Sequence, residues 1–253
     1  MTSALGLKAV ALALLILGFG SLIASTFYDS YVIAFIGLGL TFWGALLLFV
    51  MPTKYVRLEM LTAASSSSLS NLEELLTITE SNNGGIYLPP KLLSDYQSSL
   101  VFIPTNNKEI LPNREEILKA KTPRISRGLV LTPPGLALSK LLEKEMRKPF
   151  TEMKLDELEK NLPTLLERME ITKNTNIRVR DAIIIVNVKN YVFKDLCLET
   201  EKLQRTHKIV GCPFSSALAC ALAKVMGKPV TIEKEEQSQD GTTTEIQYRL
   251  LEE

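Results

Sequence analysis

Histidine occurs once in this sequence, at His207, and cysteine three times, at Cys197, Cys212 and Cys220. One imidazole excludes any site that needs two His ligands and any triad with a spare His. Three scattered cysteines exclude a disulfide-built scaffold and lack the paired spacing of a structural zinc motif. Neither G-x-G-x-x-G nor G-x-x-x-x-G-K-[ST] occurs, and Gly84-Gly85 stands alone, so nucleotide hydrolysis has no support. An excess of one charge is lacking as well. The 29 Lys plus Arg face 28 Asp plus Glu, which removes the general electrostatic reason for nucleic-acid binding.

What is present is apolar sequence, 46% of 253 residues, enough to fill one or two compact domains. Its distribution is uneven. Residues 1–52 carry just Lys8 and Asp29, and the other 55 charges lie in residues 53–253. Ala9 to Phe27 and Tyr31 to Met51 are uncharged runs, each long enough to cross about 30 Å of hydrocarbon as a helix. The short link around Asp29 leaves room for a tight hairpin, so both ends face one side. A cleaved signal peptide would not be followed at once by a second span. Lys8 before the first span, and Lys54 and Arg57 after the second, place both termini and the soluble part in the cytoplasm by the positive-inside bias. Pro52 closes the second helix, and Gly20, Ala24, Gly37, Thr41 and Ala45 are read as the helix contact. With no ionisable group inside either span, the hairpin is an anchor rather than a transport path.

The domain reading is a transmembrane hairpin over 1–52, a linker and small α/β region over 53–133, and a C-terminal α+β domain over 134–253. Ser65 to Ser68 interrupt the apolar pattern of 58–80, which predicts a linker and then a short helix, with Ser70 and Glu73 as its capping box. Ile86–Leu88 and Leu100–Ile103 read as paired strands, and Leu129–Leu131 as another. The polar stretch between them, with Lys119, Lys121, Arg124 and Arg127, reads as a solvated loop. Pro134 opens a helix carrying Leu138, Leu141 and Leu142. Leu155, Leu158, Leu162, Leu165 and Leu166 form the stripe of a second, where Pro163 threatens a kink. Ile177–Val179 and Ile183–Val188 make a tight hairpin.

From Gly211 the sequence reads GCPFSSALACALAKVMGKPVTIEKEEQSQDGTTTEIQYRLL. Pro213 starts a helix and Gly227 stops it. Beyond it, Val230 and Ile232, then Ile246, Tyr248 and Leu250, alternate with polar residues around a turn at Asp240 and Gly241. Glu235 and Glu236 fall at a strand end, where alternating exposure accounts for them. The fold class is therefore α+β, helices packed on antiparallel strands, anchored by the N-terminal two-helix hairpin.

This block, a Cys-Pro helix start, a Gly stop and a terminal hairpin, resembles the small-molecule-binding domain of the 4-vinyl reductase family over about residues 134–251. With GLVLTPPG and NLPTLLERME added, the soluble chain resembles an uncharacterised two-span membrane family of archaeal genomes. The resemblance implies a ligand-binding domain and brings no assigned activity. In the 4-vinyl reductase family the terminal hairpin often carries cysteines. Gln237 and Glu245 stand there in this chain, which argues against metal at that place.

The leading expectation is a membrane-anchored binding or sensory protein with an apolar cavity beside the 213–226 helix, lined by Cys197, Cys212, Phe214, Ser216, Cys220 and Tyr248. Cys212 at a helix start has a route to a lowered thiol pKa, which keeps a thiol-dependent or reductase-like enzyme as a third reading. Cys220 lies about 12 Å along the helix from Cys212, too far for a bond, while Cys197 is free to approach either. A cytoplasmic site predicts reduced thiols. His207, in QRTHKIVGC, reads as an exposed loop residue first, and as the partner of Cys212 in a Cys–His dyad if the chain folds back. Expected partners are the lipid bilayer and a small apolar ligand. The alternative is a non-catalytic structural subunit, docked on a second copy or in a membrane complex. No cofactor is indicated.

Overall fold

The structure is a computed structural model that describes residues 2–49, 58–78, 83–93, 99–105, 111–112, 114–119, 124–238 and 242–251. Met1–Arg57 and Leu58–Glu253 are separate compact units.

The first unit is a helical hairpin, α1 (Thr2–Tyr28) and α2 (Tyr31–Phe49), reversed at Asp29, whose φ is 48°. Gly18, Gly37 and Gly44 let the two backbones approach. A Cβ at Gly18 would strike Thr41, and one at Gly44 would strike Leu15 and the Ala11 carbonyl. Gly20 has open space around it and Ala45 is exposed, so the contact follows Gly18 rather than Gly20. Ile16, Phe19, Phe35, Phe42 and Trp43 point outward, and both helices are long and apolar enough to cross a membrane. Lys54, Arg57 and Pro52 lie outside the described residues, as does the side chain of Lys8.

The second unit is α+β. Its strands are β1 (Ile86–Leu88), β2 (Leu100–Pro104), β3 (Arg124–Ile125), β4 (Gly128–Leu131), β5 (Asn174–Arg180), β6 (Ile183–Lys189), β7 (Val230–Gln237) and β8 (Thr243–Leu250). They form one antiparallel sheet in the order β3-β4-β2-β1-β7-β8-β6-β5. Pairing of β1 with β7 joins residues before and after 134 in a single sheet. The expected β1–β2 and β5–β6 pairs are present. Asp240 and Gly241, read as the last turn, lie outside the described residues.

The helices are α3 (Leu58–Ile78), α4 (Arg114–Lys119), α5 (Leu136–Met146), α6 (Leu155–Arg168), α7 (Lys194–Lys202), α8 (Gln204–Val210) and α9 (Pro213–Met226). Strand alternation divides the core. Tyr87, Val101, Ile103 and Leu129 face the main helical core, whereas Ile86, Leu88, Leu100 and Phe102 meet Leu93 and Ile117 on the opposite face. At the centre of the main core lies α9, buried from Phe214 to Lys224. The stretch 204–226 has the length and hydropathy of a span, but it is broken at Gly211 and its apolar window is 83% buried inside this unit.

Three local expectations are corrected. The serine run does not break α3, because Ser66 returns its hydroxyl to the Ala63 carbonyl while Leu69 and Leu76 bury in the fold. Ser70 then lies within that helix, and Glu73 caps a different one: its carboxylate accepts from the backbone N–H groups of Arg205 (3.1 Å) and Thr206 (2.7 Å) at the start of α8. The solvated loop contains α4 and β3, whereas Lys121 and the side chain of Lys119 fall outside the described residues. Pro163 sits inside α6, where Leu158, Leu162, Leu165 and Leu166 bury strongly enough to hold the helix through it.

Candidate functional site

The candidate site forms where α7, α8, the start of α9 and β7 meet. Cys212 is the N-cap of α9, as its place before Pro213 suggested; its sulfur accepts from the Ser215 N–H at 3.5 Å. Cys197, on α7, is joined to Cys212 by a disulfide, with Cα atoms 5.1 Å apart. This differs from the expectation of reduced thiols. Both residues are buried, and the bond ties a nine-residue helix to the central one. Gly211, just before the bond, has φ 66° and ψ −175°, a backbone region essentially reserved for glycine. A Cβ there would also press on Ser215 Oγ, Ile232 and Glu235.

Glu235 reaches this point because β7 bulges. Pairing shifts between Ile232 and Lys234, so Ile232 lies opposite Tyr248 and Glu235 opposite Ile246. Tyr248 and Ile246 face the core, and Glu235 therefore does too, with a side chain only 6% exposed. Its Oε2 accepts from Ser215 Oγ at 2.7 Å and from the Cys212 N–H at 3.4 Å. Burial holds its carboxyl above the usual carboxylate range, against the opposing pull of His207 and of these two hydrogen bonds. The Cys197 and Cys212 sulfurs and a Glu235 carboxylate oxygen all lie within 4.8 Å of one another.

His207 is not a loop residue. It stands on α8, largely covered, with Nε2 3.7 Å from Glu235 Oε2. That nitrogen is buried and makes no hydrogen bond among the described residues. Tyr191 borders the site, and burial pushes its phenol up to about 12.

All six residues expected to line a cavity are buried, and all but Ser216 belong to the same hydrophobic core. Phe214 packs on Phe193 and Tyr191 at ring-centroid distances of 5.9 and 5.4 Å. Ser216 Oγ accepts from the Gly135 N–H at 3.0 Å, and Tyr248 donates to the Ser215 carbonyl at 3.0 Å. Cys220 is a free thiol in the core, pushed up to about 12 by burial against the lowering influence of Lys224. None of the six lines the five surface clefts described. A cleft of about 460 Å³ lies elsewhere, between α3 and the β4–α5 connection, with Leu69, Leu72, Leu131 and Pro213 in its wall.

The freedom of Cys197 to approach Cys212 is realised, whereas the bulge and the helix that turn Glu235 and His207 inward are announced by no motif.

A family profile matches residues 2–250, nearly the whole chain. The chain belongs to the family described as domain of unknown function DUF7982. No curated protein and no solved structure matches it. In this DUF7982 member the family therefore supplies extent, hairpin and soluble unit together, and the chemistry must be read from Cys197, Cys212, Glu235 and His207.

Proposed function

We propose that this protein is a membrane-anchored sensor whose soluble unit faces the cytoplasm and whose signal is the thiol–disulfide state of Cys197 and Cys212. The observation that carries the reading is the bond between two helices in a chain whose flanking Lys8, Lys54 and Arg57 argue for a cytoplasmic soluble part. Bonds in that compartment are characteristically transient and redox-sensing or catalytic. Sensing is favoured over catalysis because Cys212 is fully buried and no described cleft reaches either sulfur. Exchange then requires α7 to lift, which is a conformational signal in itself. The bilayer is the partner of the hairpin, and a second copy or a membrane complex is the receiver of the signal.

A second reading keeps the small apolar ligand. It is favoured by the 460 Å³ cleft, and it fits the likeness of the C-terminal block to the 4-vinyl reductase domain and of the soluble chain to an archaeal two-span family. The test of the sensor is acid-quenched thiol trapping in cells expressing the full chain. The expected result is free Cys197 and Cys212 in unstressed cells and a bonded pair after oxidant. A pair bonded at all times would make the link a structural staple and overturn the reading.

A further inference from the structure

Three groups with metal-ligand chemistry lie within 4.8 Å of one another, Cys197 from α7, Cys212 from the cap of α9 and Glu235 from β7, and His207 from α8 adds a fourth, its Nε2 3.7 Å from the Glu235 carboxylate. In the bonded state the sulfurs are engaged with each other. Opened, they leave two thiols beside a buried carboxylate and a buried imidazole nitrogen that has no hydrogen bond among the described residues. In low-dielectric surroundings the unpaired imidazole nitrogen beside a buried carboxylate is costly, and a cation held by both would relieve it.

We infer that the reduced form of this cluster is a zinc site, closed by the disulfide and opened by its reduction. The inference rests on Cys197–Cys212 being a reversible pair. Two thiolates, one carboxylate and one imidazole are the donor types that zinc takes in tetrahedral, closed sites. Tetrahedral zinc with Zn–N and Zn–O bonds of about 2.0–2.2 Å sets a nitrogen–oxygen edge of about 3.4 Å. His207 Nε2 and Glu235 Oε2 are already 3.7 Å apart. The two sulfurs must part to roughly 3.7 Å, a movement within side-chain rotation for Cα atoms 5.1 Å apart. Ser215 Oγ and the Cys212 N–H hold the Glu235 carboxylate from behind, the arrangement by which outer-shell groups orient a ligand.

The chemistry balances. A dithiol gives two electrons and two protons to the S–S bond, becomes a disulfide itself, and leaves Cys197 and Cys212 as thiols. Zn²⁺ then displaces both thiol protons to solvent as two Zn–S bonds form. A phosphine does the same work in vitro, the oxygen of one water passing to phosphorus and its two hydrogens to the sulfurs.

The experiment takes the full chain in detergent, oxidised or phosphine-reduced, adds Zn²⁺, removes excess by gel filtration, and measures metal per chain. Alkylation mass spectrometry counts free thiols in parallel. One zinc on the reduced chain and none on the oxidised chain is the expected result. Co²⁺ in its place should give a thiolate charge-transfer band and visible bands of tetrahedral cobalt. Glu235→Gln and His207→Ala, which leave the disulfide intact, should each weaken binding by tenfold or more. Thiols that are freed yet hold no zinc overturn the metal site and leave the sensor standing. A bond that the phosphine does not open overturns both. A reduced chain that unfolds and is not restored by zinc also overturns the site.

Discussion

Ile232 and Glu235 lie on the same face of β7 although they are three positions apart, because the strand bulges between Ile232 and Lys234. Strict alternation would place Glu235 on the opposite face from Ile232, away from the core. The single extra residue turns a strand-end carboxylate into the acidic wall of a buried Cys–Cys–His cluster. Deletion of Glu233 should remove the bulge while leaving Glu235 two positions after Ile232, still on the core face, so the reduced chain should keep its zinc. Metal analysis of the deletion variant checks this.

Closing the 15-residue separation between Cys197 and Cys212 restricts the unfolded chain and should stabilise the fold by about 3 kcal/mol. Cys197→Ser should therefore lower the urea midpoint of the oxidised chain, while the same substitution in metal-free reduced protein should have little effect. Equal losses in both states would mean that packing, not the cross-link, supplies the stability.

Gly211→Ala should destabilise by about 1–3 kcal/mol, since φ 66° with ψ −175° is open to glycine almost alone and the new methyl presses on Ser215 and Glu235. Thermal melting of the variant gives the answer. A melting point equal to that of the parent chain would show that the backbone relaxes around Gly211.

Glu73 gives the soluble unit an acid-sensitive joint. Burial raises its carboxyl pKa, but the N–H groups of Thr206 and Arg205 and the Arg205 charge outweigh that, and the net shift is downward from 4.5. The cap therefore contributes fully above that value and is lost as pH falls below it, through the folded-state pKa. Hydrogen exchange at the start of α8 should accelerate below about pH 4.5 in the parent chain. In Glu73→Ala it should already be fast at neutral pH, with about 1–2 kcal/mol less local stability.

Lys224, 5% exposed, is neutralised by Glu143 at 2.6 Å, which also accepts the Phe150 N–H. Glu143→Ala should cost about 3 kcal/mol by stranding the ammonium, whereas Glu143→Leu with Lys224→Met should come closer to neutral. Urea denaturation of the three chains distinguishes a net stabilising pair from a merely compensated one.

The sequence was legible where a periodic pattern or a cap residue determines an element. The two apolar runs, the Pro213–Gly227 bracket of α9, and the β5–β6 and β7–β8 hairpins follow from it. The serine run in α3 and Pro163 in α6 misled because tertiary burial of leucines outweighs local propensity. The site was less legible for a geometric reason. Cys197, His207, Cys212 and Glu235 have no motif spacing, and their meeting depends on α7 and α8 folding back and on one bulge. Six polarisable or polar residues near α9 suggested a cavity, but Phe214, Ser216 and Tyr248 are engaged in ring packing and hydrogen bonds instead.

The sensor reading is tested most directly by equilibrating the full-length protein in glutathione buffers of graded potential and counting bonded Cys197–Cys212 by mass spectrometry. The account predicts a reversible transition between about −220 and −300 mV, inside the range over which the cytosolic thiol pool operates. Buried Cys220 should remain unmodified throughout unless the chain is unfolded. A pair that stays fully bonded across that range would contradict the account.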